Sequence, residues 1–411
     1  MNLPEPTPER ARSELAGIAD PLSEDDDLVV AYARAIWSCL VEPGDRVAGA
    51  LIATCGPVRA LEIAVASTGG ADVAHAAGLE PRELDKARSR WHPRRGDVAE
   101  RMAAGRRAGA RLVTPEDHAW PERVADLGPF APVCLWVLGD VDALGAACPA
   151  VAMVGSRAAS AYGDLLAGDL AAGAATAGVA VISGAAYGID GSAHRGALAV
   201  GGATTALLAG GVDRPYPAGH RELLERIAAE GTVAAEVPCG SSPTKWRFLA
   251  RNRLIAAMSD ATVVVEAGWR SGSLNTAHHA AALGRPLGAV PGPVTSASSA
   301  GCHRLLREVQ AECITSVADV MELLGLDARA LNARTVAEAS QTGEQGAGDL
   351  TRILDALSDR SARSGHDIAR RAGFGSDEAT ALLGLLELEG TVERRPGGWV
   401  RARHRAAATL W

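Results

Sequence analysis

Val151-Ala152-Met153-Val154-Gly155-Ser156-Arg157 is an unbroken apolar run that ends on a glycine and then an arginine. An apolar run without polar alternation fits a strand buried on both faces of a parallel sheet, where helices cover each side. Outward from it the pattern repeats: Val179–Ile182, Thr204–Leu208, Val233–Ala235, Val263–Val265 and Leu287–Val290 are short runs separated by helix-length segments. This alternation predicts an α/β fold, a Rossmann-like doubly wound parallel sheet. Ligands of such sheets sit beyond the carboxyl ends of the strands, so function is expected in the loops that follow these runs.

The 411 residues exceed one ordinary core, which implies two or three domains. Residues 1–27 end in Glu24-Asp25-Asp26-Asp27 and read as a flexible leader. Residues 28–100 show helical periodicity broken by Pro43-Gly44 and Gly56-Pro57, a small helical domain of SAM or helix-hairpin-helix type. Residues 101–330 hold the Rossmann-like part, and 331–348 are a polar linker. In 349–411, helices beginning at Ile353, His366 and Glu378 precede two short strands around Pro396-Gly397, the pattern of a winged helix.

The formal net charge of -8 argues against a protein that coats duplex DNA, so any nucleic-acid contact must come from a local patch. Seven dispersed cysteines without a CxxC pair read as reduced thiols of a cytoplasmic protein. Met1 to Arg12 lacks an apolar signal core, and Leu165–Ala186 is interrupted by Asp169 and glycines, so no membrane association is expected.

The loop Gly155-Ser156-Arg157 leads from strand to helix, where backbone N–H groups favour an anion and an arginine can clamp a phosphate. It is neither a GxGxxG nor a Walker sequence. The alternative, an Arg157 that merely pairs with a carboxylate, fits the spacing equally well. Ser183-Gly184-Ala185-Ala186-Tyr187-Gly188-Ile189-Asp190 offers small residues where backbone can approach a ligand. Asp190 and His194 have no further metal ligands at suitable spacing, and Asp190 reads as a cap or orienting partner. Ser183 lacks a GxSxG elbow. No catalytic residue, metal or cofactor is expected.

The densest signal is Lys245-Trp246-Arg247-Phe248 followed by Arg251-Asn252-Arg253, in a chain with only two lysines (Lys86 and Lys245) and three phenylalanines. Cations that track phosphates, interleaved with rings that stack on bases, are the chemistry of single-strand binding. The alternative makes Phe248 core and one of the two arginines structural. Ser271-Gly272-Ser273 can cap a helix and present N–H donors to an anion.

These residues resemble a known family. Val154-Gly155-Ser156-Arg157, Ser183-Gly184, Gly188-Ile189-Asp190, Gly210-Gly211-Val212-Asp213 with Tyr216-Pro217, Arg251-Asn252-Arg253-Leu254-Ile255-Ala256, Ser271-Gly272-Ser273-Leu274 and Val290-Pro291-Gly292 follow the order found in the DprA/Smf proteins of natural transformation. The resemblance implies single-stranded DNA held on the Rossmann-like domain by Arg157, Lys245 and Phe248, a homodimer, loading of the recombinase RecA, and no catalytic turnover. Leu249-Ala250 replaces the usual proline, His303 a usual asparagine, and Tyr187 stands where arginine is frequent. Two alternatives remain. One is a nucleotide-processing enzyme of phosphoribohydrolase type, whose PGGxGT loop is missing here. The other is a winged-helix transcription factor using Arg394, Arg395, Arg401, Arg403 and Arg405 on duplex DNA.

Overall fold

The computed structural model describes residues 3–326, apart from 20–24, 67–68, 95–97 and 147, and residues 352–401, apart from 359–361, 389–390 and 396. Two units divide the chain, residues 1–328 and 329–411. The first contains strands β1 (Arg111–Val113), β2 (Leu135–Gly139), β3 (Ala150–Gly155), β4 (Ala180–Ser183), β5 (Thr204–Leu208), β6 (Thr232–Ala235), β7 (Ala261–Glu266), β8 (Leu287–Ala289) and β9 (Glu312–Cys313). They form one sheet in the order β1-β2-β6-β5-β4-β3-β7-β8-β9.

From β6 through β9 in that order all pairings are parallel, while β1–β2 and β2–β6 are antiparallel. The six strands expected from the apolar runs are all present, and the sheet is doubly wound as predicted. The chain winds from β3 through β4 and β5 to β6, then crosses back to place β7 on the other side of β3. The loops after β3 and β7 therefore diverge and open a crevice at the switch point.

The helices of this unit are α1 (Pro8–Leu15), α2 (Asp25–Leu40), α3 (Arg46–Val65), α4 (Ala71–Ala76), α5 (Pro81–Trp91), α6 (Val98–Ala108), α7 (Asp142–Gly145), α8 (Ala161–Thr176), α9 (Ile189–Ala199), α10 (Arg221–Glu230), α11 (Lys245–Ala257), α12 (Ser273–Ala282), α13 (Ala300–Glu308) and α14 (Val317–Leu323). Strand residues alternate between two cores, as the pleat requires. Trp136, Ala206, Leu208, Val233 and Ala235 join α9, α10 and the N-terminal helices. Val137, Leu207 and Ala234 join α11, α12 and α13.

Two expectations are corrected. The leader is folded over Pro8–Leu15: Thr7 accepts a hydrogen bond from the Arg10 amide at 3.4 Å, Pro8 opens the helix, and Ala11, Leu15 and Ile18 are buried. Asp25, Asp26 and Asp27 form the first turn of α2, where carboxylates complement the helix dipole. Residues 28–100 also lack a core of their own, since Tyr32, Ile36, Trp37, Leu51 and Trp91 belong to the same apolar cluster as Trp136 on the sheet. The Trp136 indole N–H donates to Ser38 Oγ at 3.4 Å, and Arg34 pairs with Glu116 at 2.7 Å. One helix, Arg46–Val65, has the length and apolar composition of a membrane span, but Gly56 at φ 78° and Pro57 break it into two short halves.

The second unit has helical residues 352–356, α15 (Gly365–Ala372), α16 (Ser376–Leu388) and the antiparallel pair β10 (Val392–Arg395) and β11 (Gly398–Arg401). Ile353, Ile368, Leu383, Val392 and Trp399 form its core. This is the expected winged helix; the expected linker 331–348 lies outside the described residues.

Trp136→Ala is expected to cost about 3–5 kcal/mol, read as a lower urea midpoint at unchanged slope. Hydrogen-exchange protection should fall in α2 and β6 together; a loss confined to the sheet would mean that the helices keep an independent core.

Candidate functional site

A cleft of about 830 Å³ opens at the carboxyl ends of β3 and β7, where the topology places the crevice. Its walls are the loop after β3, the first two turns of α11, the loop after β7, and Tyr216 from the loop after β5. Thr244 caps α11 by accepting from the Arg247 amide at 3.3 Å. Lys245, Phe248 and Asn252 then fall on one helical face and line the cleft together.

Arg157 and Phe248, far apart in sequence, meet here: the guanidinium carbon lies 4.7 Å from the ring centroid. Tyr216 packs beside the same ring at 5.5 Å, tilted by 58°. Arg157 and Lys245 are exposed, and neither has an ion-pair partner among the described residues. Arg157 is thus not paired with a carboxylate. Arg270, in the loop after β7, is a third such cation on the cleft wall. Neither Arg270 nor Thr244 is expected at the site from the sequence, and Tyr216 stands there only as part of the motif with Pro217. The cap signature Thr-Lys could have found Thr244; only assembly of the sheet brings Tyr216 and Arg270 to this edge.

The loop after β3 contributes through its side chain more than its backbone. The Ser156 amide donates to the Glu266 carbonyl at 2.7 Å, and the Ser160 amide donates to the Glu266 carboxylate at 3.2 and 3.3 Å. Gly155 and Ser156 line the cleft as expected, but the Ser156 amide is already engaged and is not offered to an anion. Ser271, Gly272 and Ser273 do line the cleft, with the two hydroxyls 2.8 Å apart.

Ser183 and Gly184 lie beneath the cleft and not in its wall. The Ser183 hydroxyl donates to the Met153 carbonyl at 2.6 Å. Gly184 is glycine because a Cβ would sit 2.3 Å from the Arg251 guanidinium, and Gly188, at φ +71°, would drive one into the Ser156 carbonyl. Gly184 and Gly188 thus admit other parts of the protein, while Ala186 and Asp190 of the same loop line the cleft.

The Arg251-Asn252-Arg253 segment is engaged within the protein, although Arg251 and Asn252 also line the cleft and Arg253 does not. Buried Arg251 donates to the Gly184 carbonyl at 2.9 Å and to that of Leu207, tying α11 to the ends of β4 and β5. Asn252 borders the cleft but donates to Gly272 O at 3.4 Å and Asn275 Oδ1 at 3.3 Å. Arg253 is paired with Glu236 at 2.6 and 2.8 Å, with both side chains buried. Glu236 also accepts from the Gly44 amide at 3.0 Å, and Arg247 pairs with Glu42 at 2.8 and 3.0 Å, so the N-terminal helical region braces α11 from behind.

Burial pushes the Asp190 carboxyl above its ordinary value against the pull of Arg251 and of the amides of Ala186 and Gly184, from which it accepts hydrogen bonds. Burial likewise lowers Arg251, to about 10, which leaves it charged at neutral pH. His194, pushed down to about 3 chiefly by burial, is neutral, with Nδ1 2.8 Å from Thr204 Oγ1. Among the described residues no group of three or more His, Cys, Asp or Glu is placed to hold a metal ion.

The sequence profile described as DNA recombination-mediator protein A matches residues 111–325, and that of the DprA winged helix domain matches residues 337–398. A Mycobacterium tuberculosis protein named as a DNA processing protein DprA is 42% identical over 390 residues, 90% of this chain and 94% of its own. Protein Smf of Escherichia coli is 35% identical over 294 residues, 71% of this chain and 77% of its own. The X-ray structure of DNA processing protein A from Streptococcus pneumoniae aligns with a TM-score of 0.56 at 30% identity, covering 70% of this chain and 95% of that one.

Glu236→Ala leaves the Arg253 charge buried and unpaired, and should cost about 3–5 kcal/mol. Replacing the pair together, Arg253→Met with Glu236→Leu, should cost less, measured as urea midpoints. A silent Glu236→Ala would show that the pair does not hold α11.

Proposed function

The chain belongs to the DNA recombination-mediator protein A family, the DprA/Smf proteins, and from that premise we propose that its cleft binds single-stranded DNA in the cytoplasm without sequence preference. One observation carries the reading: Arg157 and Lys245, cations with no ion-pair partner among the described residues, share a single cleft with the Phe248 ring. Cations on a phosphate backbone and a ring against base faces make up single-strand binding, and stacking accepts any base because every base has a π face. A base must be unpaired to reach a ring inside a cleft, which sets the preference for single strands over duplex. The overall charge of -8 gives no general attraction to DNA, so these local cations carry the electrostatics.

The action proposed is binding without turnover: Asp190, the one carboxylate among the described cleft-lining residues, is taken up by the amides of Gly184 and Ala186, and His194 by Thr204. On family grounds we further propose that the bound strand is passed to the recombinase RecA, in DNA uptake and recombination, and that the protein acts as a homodimer.

Fluorescence anisotropy with labelled oligonucleotides across a salt series tests the site. Arg157→Ala and Lys245→Ala should each flatten the dependence of log K on log salt by about 0.7. Phe248→Ala should lose about 1–3 kcal/mol of binding on any base sequence. Unchanged affinity in all three variants, or tighter binding to duplex than to single strands, contradicts the proposal.

A further inference from the structure

Trp269 is 57% exposed and lies outside the main apolar clusters of the described residues. Its chain neighbours Gly268 and Arg270 both line the cleft, so the residue sits beside the cleft on the β7 side, although its own side chain is not part of the lining. The ring is held in place from below. The Gly301 amide donates to the Ala267 carbonyl at 2.7 Å, which docks the start of α13 directly against the loop. One turn on, Arg304 lays its guanidinium 5.0 Å from the Trp269 ring centroid. His303, beside it, hydrogen-bonds the Gly292 carbonyl at 2.9 Å and fixes the same helix to the loop after β8.

A large ring kept at the surface, braced on a cation and adjacent to the exposed cation Arg270, repeats the pairing of Arg157 with Phe248 inside the cleft. Resting on the single-strand reading above, we infer that Trp269 is a second base-stacking platform, and that the strand leaves the cleft along the loop after β7. Arg270 takes the intervening phosphate and Trp269 the next accessible base. In the sheet order β5-β4-β3-β7, Tyr216 follows β5 and Trp269 follows β7. The two rings thus hang from strands three spacings apart, about 14 Å. An oligomer just long enough to occupy Phe248 and Tyr216 leaves Trp269 uncovered, whereas a longer one covers it.

Anisotropy with the full-length protein and oligothymidylates of about 2 and about 16 nucleotides separates these cases. Trp269→Ala should weaken the long oligomer about ten-fold while changing the short one less than about two-fold. Trp269→Phe, which keeps a stacking face, should restore most of the loss. Phe248→Ala should weaken both lengths. Equal losses for Trp269→Ala on both lengths would make Trp269 a support of its loop and overturn the inference. So would no loss on either length while Phe248→Ala still weakens both. If Phe248→Ala leaves both lengths unchanged, the cleft reading fails and the inference with it.

Discussion

A guanidinium buried between the ends of two strands organises this edge of the molecule. Arg251 donates to the carbonyls of Gly184, directly after β4, and of Leu207, near the end of β5, and faces Asp190 at the start of α9. A buried charge persists only where its donors are satisfied and an opposite charge stands near. Those demands fix α11 against the sheet to within a hydrogen-bond length, and Phe248 and Lys245 lie about one and two turns before Arg251 on the same helix. Asn252 and Arg253 extend the anchorage to the start of α12 and to Glu236. The cleft is therefore a consequence of how α11 is nailed down, and its contact residues are free because their neighbours are committed.

The same division explains how an acidic protein presents a basic site. The chain carries 41 Lys and Arg against 49 Asp and Glu. Near the cleft, Arg247 is paired with Glu42 and Arg253 with Glu236, while Arg157, Lys245 and Arg270 have no acidic partner among the described residues. Electrostatic attraction to a polyanion comes from the cations left without an internal counter-charge, and net charge does not count them.

Much of this was legible in the sequence because parallel strands buried on both faces are uninterrupted apolar runs, and β3 to β8 each show one. The edges were not: β1 and β9 have three and two residues, too short for a pattern to emerge. The helical leader was obscured because the stripe Ala11, Leu15, Ile18 is thin among charged neighbours, and because an acidic run suits a helix start as well as a polar tail. Arg157, Lys245 and Phe248 stand out by residue type and resemblance, and the fold brings all three into one cleft. Whether an arginine beside them reaches solvent or a carbonyl depends on tertiary neighbours such as Glu236 and Leu207, so Arg251 and Arg253 read as contacts until the fold was seen.

Hydrogen–deuterium exchange of the full chain, free and saturated with oligothymidylate, tests the account most directly. New protection should appear in residues 155–158, 244–249 and 269–273, the segments that wall the cleft and its rim. Protection confined to the winged helix around residues 392–401, with those three segments unchanged, would place the DNA elsewhere and contradict the account.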